Sequence, residues 1–63
     1  MSQYQISTDS EMQTIEASSI DAAAAKCNKR YTTMAALVAA VVNADGWITV
    51  VEDGEQVVYA GDR

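Results

Sequence analysis

The 63-residue sequence contains no histidine, only one cysteine, and only three glycines. Without histidine, a cysteine nucleophile lacks its usual general base, so we expect no catalytic residues and no enzymatic activity. The single cysteine, Cys27, cannot form an internal disulfide, whereas small secreted domains usually carry several. It falls on the apolar side of a predicted helix, where we expect a buried structural thiol.

Basic residues are also scarce. Lys26, Lys29 and Arg30 form one short cluster, only Arg63 is added at the end, and nine carboxylates give a net charge of −5. Direct binding to nucleic acid or to an anionic membrane is not expected, because it requires clustered lysine and arginine. A protein partner with a basic surface is the better electrostatic match.

Targeting and cofactor signals are missing from the sequence as well. The first twelve residues are polar, and the longest uncharged run, residues 31–44, is shorter than the roughly 20 residues of a bilayer span. The nearest match to a calcium loop begins at Val41, which cannot coordinate the ion. We therefore expect no metal, no cofactor and a cytoplasmic location.

The patterns that are present indicate one domain over residues 1–63. With 49% hydrophobic and 21% charged residues the chain should fold. A domain of this size buries only about 60% of the surface that its unfolded chain exposes, and its stability is correspondingly marginal. A second chain could therefore complete the core. Alternation in residues 4–8 and 12–17, around the turn-forming residues 9–11, predicts a β-hairpin.

Two helices are predicted next. Ser18 or Ser19 offers an N-cap, and Ser18 has the spacing of a capping box with Asp21. Thr32 or Thr33 can cap a second helix, and a break near residues 31–33 is needed because an unbroken helix over 19–43 would span about 37 Å. The apolar stripe of the second helix consists of Met34, Leu37, Val38, Val41 and Val42, and its opposite face of Ala35, Ala36, Ala39, Ala40 and Asn43.

A second hairpin closes the chain, because Asp53-Gly54 separates two β-branched runs. With a two-residue turn, one face of the hairpin holds Ile48, Val50, Val57 and Tyr59; a three-residue loop would regroup the second strand. The order ββααββ predicts an α+β domain in which two helices pack on one face of a four-stranded antiparallel sheet. If every element crosses the domain and reverses, the turns at 9–11, 30–32 and 52–55 share one end, and Asp21, Asp45 and Asp62 lie toward the other.

The predicted partner-binding residues are turn carboxylates and one aromatic residue: Asp9, Glu11, Glu52, Asp53, Glu55 and Trp47. The carboxylates fit two interpretations, either solvated turn residues or an acidic end that docks onto basic side chains of a partner. Trp47 is either covered by the domain or part of an apolar contact patch. The alanine face of the second helix suits either a buried helix or a homodimer interface.

The strand-to-helix segment at residues 14–19, the alanine-rich helix and the closing hairpin at 47–55 together resemble small phage and mobile-element proteins, among them anti-CRISPR inhibitors of type I systems. The resemblance implies a non-catalytic inhibitor that binds the crRNA-guided surveillance complex or its nuclease-helicase. Such a protein blocks target DNA binding or cleavage by protein contact, in some members by acidic DNA mimicry. The alternatives are a homo-oligomeric structural or regulatory domain with no CRISPR role, and an antitoxin-like partner of a basic toxin.

Overall fold

The computed structural model describes residues 1–61 and confirms the order ββααββ. The elements are β1 (Ser2–Thr8), β2 (Met12–Ala17), α1 (Ile20–Cys27), α2 (Met34–Asn43), β3 (Trp47–Glu52) and β4 (Glu55–Gly61). The strands form one sheet in the order β2-β1-β3-β4, and all three strand pairs are antiparallel. No helix within residues 1–61 is long and apolar enough to cross a bilayer.

The core lies between the sheet and the two helices. Alternate residues of the central strands are fully buried on one sheet face: Tyr4, Ile6, Ile48 and Val50. They pack with Ala23 and Ala24 of α1 and with Met34 and Leu37 of α2. Both helices therefore cover the same face, as predicted. The opposite face, which includes Gln3 and Gln5, is the uncovered face of the sheet.

Local side-chain chemistry sets the helix starts. Ser19 is the N-cap of α1, with its hydroxyl accepting from Ala22 N at 3.1 Å, and Thr33 caps α2 in the same way. The predicted break between the helices is confirmed and covers residues 28–33. Asp21 has a different role from the expected capping box: its carboxylate accepts a 2.8 Å hydrogen bond from Met34 N, the first residue of α2.

The Asp21–Met34 hydrogen bond means that both helices start from neighbouring positions. The connection 28–33 carries the chain back, and α2 then ends beside the turn 9–11. There, a Cβ added to Gly46 would lie 2.7 Å from Asp9 Oδ1 and 3.1 Å from Val41 Cγ1. β3 therefore begins at the end where β1 finishes, with Ile48 paired to Thr8.

This path contradicts the expectation that every element reverses. The turn 53–54 lies at the end opposite the turn 9–11, beside Gln3, whose backbone bonds to Asp53. Asp45 adjoins Gly46 and lies at the same end as Asp9, whereas Asp21 lies at the other end. The expected position of Asp62 lies outside the described residues.

The second hairpin has the predicted two-residue turn, with Glu52 paired to Glu55 and positive φ angles at Asp53 and Gly54. A β-bulge follows, because Val51 pairs with Gln56 and Val50 with Val58. The prediction that Val57 and Tyr59 share the face of Ile48 and Val50 is therefore wrong. Val58 and Ala60 pack toward the core instead, while Val57 is 43% and Tyr59 58% exposed.

Candidate protein-binding site

The structure divides the six predicted partner-binding residues between the two ends of the sheet. Asp9, Glu11 and Trp47 lie at the end where β1 finishes and β3 begins, which we call the cleft end. Glu52, Asp53 and Glu55 lie at the opposite end, which we call the hairpin end. The single acidic surface expected from the sequence is thus two separate acidic regions.

At the hairpin end, Glu52 is part of the fold. The hydroxyl of Tyr4, a residue only 1% exposed, donates a 2.8 Å hydrogen bond to Glu52 Oε2. Burial, followed by the hydrogen bond to this carboxylate, raises the pKa of Tyr4. Glu52 therefore satisfies a largely buried hydroxyl and is itself only half-exposed.

Asp53 also has a structural role. Its Oδ1 accepts from Gln3 N at 2.8 Å, while its own N–H donates to Gln3 O at 2.9 Å. The hydrogen bond from the Gln3 backbone, together with Ser2, holds the pKa of the Asp53 carboxyl below its usual value. For Glu52 and Asp53, the structure thus assigns internal partners to groups that the sequence presents as surface charges.

The cleft end contains a cavity of about 320 Å³ between the turn 9–11 and the two helices. Asp9, Ser10 and Glu11 form its polar wall, and Leu37 and Val41 of α2 contribute an apolar wall. The remaining lining comes from Thr8, Cys27, Asn28, Tyr31, Ala40, Ala44 and Gly46. Carboxylates next to an apolar wall can bind a side chain that has both a cationic head and a hydrocarbon stem.

The turn 9–11 is held by Thr8. The Thr8 hydroxyl accepts from the backbone N–H groups of Ser10 and Glu11 at 3.3 and 3.2 Å, and Thr8 N donates to Glu11 O at 2.8 Å. Gly46 closes the other side of this wall, and a larger residue there would require the Asp9 carboxylate to shift. The Thr8 hydrogen bonds hold the backbone of the turn that carries both carboxylates, whose side chains are exposed.

Cys27 lines the same cleft but is half-buried rather than buried. Gln13 Nε2 lies 3.5 Å from its sulfur. Burial, and after it the negative charge of Glu11, raises the pKa of the Cys27 thiol above its ordinary value of 9.0. The thiol is therefore protonated at neutral pH, the opposite of what nucleophilic attack requires.

Positive charge also borders the cleft. Lys29 and Arg30 lie between Asn28 and Tyr31, both of which line it. The prediction that this basic pair shares an end with Asp9 and Glu11 is confirmed, whereas its predicted proximity to the turn 52–55 is wrong. The cleft end is consequently mixed in charge, and the hairpin end is more uniformly acidic.

Trp47 lies at the cleft end on the uncovered sheet face, because it alternates with buried Ile48 along β3. It is half-buried, so the domain does not cover it completely, and its part in a contact patch stays a prediction. Sequence reasoning missed Tyr31, Leu37 and Val41 as cleft residues. Leu37 and Val41 were assigned to the core by their helical spacing, and the one available signal for Tyr31 was an aromatic residue directly after a basic pair.

Groups of three or more possible metal ligands are absent from residues 1–61. No protein-family description matches the chain, and no curated protein or solved structure is significantly similar to it.

Proposed function

We propose that this protein is a non-catalytic inhibitor, of the kind that phages encode, which binds a basic surface of a nucleic-acid-binding host machine. The first target to test is a type I CRISPR surveillance complex or its nuclease-helicase. The observation that supports the proposal is the cleft, in which two exposed carboxylates face an apolar wall. The CRISPR target itself derives from the resemblance in sequence layout.

An arginine or lysine side chain of the partner fits the chemistry of this cleft. Its hydrocarbon stem would lie along Leu37 and Val41, with its charged head beside Asp9 and Glu11. Tyr31 adds an aromatic ring to the lining, against which a guanidinium group can stack. The cleft would thus select a basic side chain by shape as well as by charge.

The hairpin end is less suited to direct contact. An oxygen of Glu52 already binds the Tyr4 hydroxyl, and an oxygen of Asp53 already binds Gln3 N. Redirecting the Glu52 oxygen toward a partner would leave the largely buried tyrosine hydroxyl without an acceptor, which costs about 1–3 kcal/mol. The hairpin end can still steer a basic partner by its charge.

The separation of the two ends favours steric blocking over mimicry of a continuous DNA backbone. Six strand residues at about 3.4 Å each place the ends roughly 20 Å apart. Glu16, the one carboxylate on the uncovered face of the described strands, pairs with Gln3 and so lies at the hairpin end rather than between the two ends. The carboxylates therefore do not form an unbroken row like DNA phosphates.

The test is association with purified type I surveillance complexes, with and without target DNA. Asp9→Lys combined with Glu11→Lys should weaken binding by at least about tenfold, since cleft contacts and steering are both lost. Glu16→Lys combined with Glu55→Lys makes the same change in net charge with exposed carboxylates away from the cleft. This control should weaken binding by a much smaller factor.

No association at about micromolar concentration and low salt would remove the CRISPR inhibitor proposal. Equal weakening by the two double variants would instead show that general charge attraction, rather than the cleft, carries the contact. Protection of target DNA from cleavage, measured beside binding, then tests whether bound protein inhibits.

A further inference from the structure

The two edges of the sheet differ in how they are protected. At the β2 edge, Lys26 Nζ donates a 2.7 Å hydrogen bond to Glu16 O. Gln3, the β1 partner of Glu16, directs its own N–H and C=O to Asp53 on the other side. The backbone of Glu16 therefore points away from the sheet, and Lys26 caps it. A lysine at an edge is a common device against pairing with another strand.

The β4 edge lacks such a cap in its sequence. Residues 56–61 include no charged side chain. The bulge at Val57 interrupts only the part of β4 close to the turn, leaving residues 58–60 as regular strand before Gly61, whose φ is 109°. An edge strand presents backbone N–H and C=O groups that can pair with another strand.

The helix above this edge is uncharged too. Residues 31–44 and 56–61 contain none of the nine acidic and four basic residues of the chain. α2 contacts both β3 and β4, and Val42 borders a hollow at the end of β4 that Asp45, Gly46 and Gly61 also line. Ala35 and Ala39 share that side of α2 by helical spacing, and all three α2 residues are exposed. One side of the molecule thus combines an open strand edge with a neutral helix flank, and its carboxylates lie at the two ends of β4, with Glu55 at the start and Asp45 beside Gly61.

We propose that this side binds a second copy of the chain, with β4 pairing antiparallel to β4 of the partner about a two-fold axis. Adjacent strands lie about 4.8 Å apart, so helices centred over β3 and β4 would be roughly 10 Å apart across the axis. That spacing is close to the 8–10 Å of packed helices, and alanine side chains permit it.

Charge favours a second copy as the occupant. Two chains that each carry −5 repel one another wherever their acidic ends meet, so the α2–β4 side, which has carboxylates only at its margins (Asp45 and Glu55), offers the approach with least repulsion. A strongly basic partner is drawn instead to the acidic ends. The two contacts use different parts of the molecule, so the dimer is independent of the inhibitor proposal.

The interface is small. Pairing along the whole seven-residue strand, about 24 Å long, with a molecular thickness of 17 Å gives at most roughly 400 Å² per copy in projection. Standard stable interfaces bury about 800 Å² per partner, so we expect a weak, concentration-dependent dimer. Its dissociation constant should lie in the range of about 10 μM to 1 mM.

Sedimentation equilibrium across that concentration range tests the proposal. Tyr59→Lys places a charge on β4 of both copies and should weaken dimerisation by at least about tenfold. Met12→Lys is the matched control, because Met12 is 64% and Tyr59 58% exposed and both lie on the uncovered face of an edge strand. It should change the dissociation constant by less than about twofold.

Mixing Tyr59→Lys with Tyr59→Glu protein should restore association, because the two variant side chains lie on the same face of the joined sheet and then carry opposite charges. A monomeric wild type over the whole range, an effect of Met12→Lys equal to that of Tyr59→Lys, or failure of the mixture to associate would each overturn the proposal. If the Tyr59 variants do not fold, Ala39→Glu on α2 takes their place. Amide hydrogen exchange of the wild-type protein is then measured at increasing concentration. Exchange that slows in β4 but not in β2 supports the pairing, and exchange in β4 that does not change overturns it.

Discussion

Asp53 illustrates how much one turn residue does in a small domain. It adopts the left-handed backbone conformation that the two-residue turn requires, with φ of 50°. Its side chain then accepts from Gln3 N, which continues the pairing of β1 with β3 beyond the last regular strand residue. Local sequence identifies the turn, but the hydrogen-bond partner lies 50 positions away, and only the strand order brings the two together.

Glu11 and Cys27 offer a test of the cleft geometry at single-residue resolution. The negative charge of Glu11 disfavours the thiolate, so Glu11→Gln should lower the pKa of Cys27 toward 9.0. Burial, the larger cause, remains in the variant, so the pKa should stay above that value. The measurement is the rate of Cys27 alkylation by iodoacetamide from pH 7 to 10, roughly the range in which thiols titrate.

Because the thiolate is the reacting species, the midpoint of this profile should move to lower pH and the rate near pH 8 should rise. Glu55→Gln removes the same charge at the hairpin end and should leave the profile unchanged. Coincident profiles for Glu11→Gln and wild type would show that Glu11 does not act on the thiol.

At the scale of elements, the predictable parts are those set by neighbours in the chain. A hydroxyl before an apolar helix limits the caps to Ser18 or Ser19 and to Thr32 or Thr33, of which the structure has Ser19 and Thr33. Asp53-Gly54 likewise predicts the second turn. The bulge at Val57 was not predictable, because Val57 and Val58 are identical and the alternation continues equally well from either. Packing under α2 decides which of them faces the core.

The path of the connection 28–33 was missed for a different reason. It depends on the hydrogen bond between Asp21 and Met34 N, which joins residues 13 positions apart. For short connections, a reversal of chain direction at every turn is a reasonable expectation. The six residues 28–33, however, are enough to carry the chain back along the eight-residue helix α1. This one return places the two acidic turns at opposite ends and divides the predicted site.

Asp21→Ala should therefore destabilise the protein by about 1–2 kcal/mol, because the part-buried N–H of Met34 loses its acceptor. Asp21→Asn keeps an acceptor oxygen at the same position and should recover most of the loss. Urea unfolding followed by circular dichroism measures both variants. Equal stability of Asp21→Ala and wild type would show that this contact does not hold the helix starts together.

In the whole molecule, most charged residues are divided between the two ends of the sheet. Residues 31–44 and 56–61 contain none. The sequence showed the clustering of basic residues and the excess of acid, which suffices to predict a basic partner. It could not show that Glu52 and Asp53 have internal partners or that Asp9 and Glu11 border a cleft with Leu37 and Val41. Those features arise from residues brought together by the sheet and by the return of α2.

The two proposed contacts should respond to salt in opposite directions. Self-association brings together two chains of net charge −5, and added salt screens their repulsion, so self-association should strengthen. Binding of a basic partner depends on attraction between opposite charges, so it should weaken as salt is added. Between about 20 and 300 mM sodium chloride we expect the dimer dissociation constant to fall severalfold and that of the partner complex to rise severalfold. Sedimentation equilibrium and a binding titration measure the two constants.

Glu16→Gln provides the control, because it removes one exposed negative charge on β2, outside both the cleft and the α2–β4 side. This variant should dimerise more tightly at low salt and show a flatter salt dependence than wild type. A dimer that dissociates as salt is added would mean that opposite charges meet in its interface. The pairing would then lie away from the neutral β4 edge, with the acidic ends and the basic residues Lys29 and Arg30 as the elements in contact.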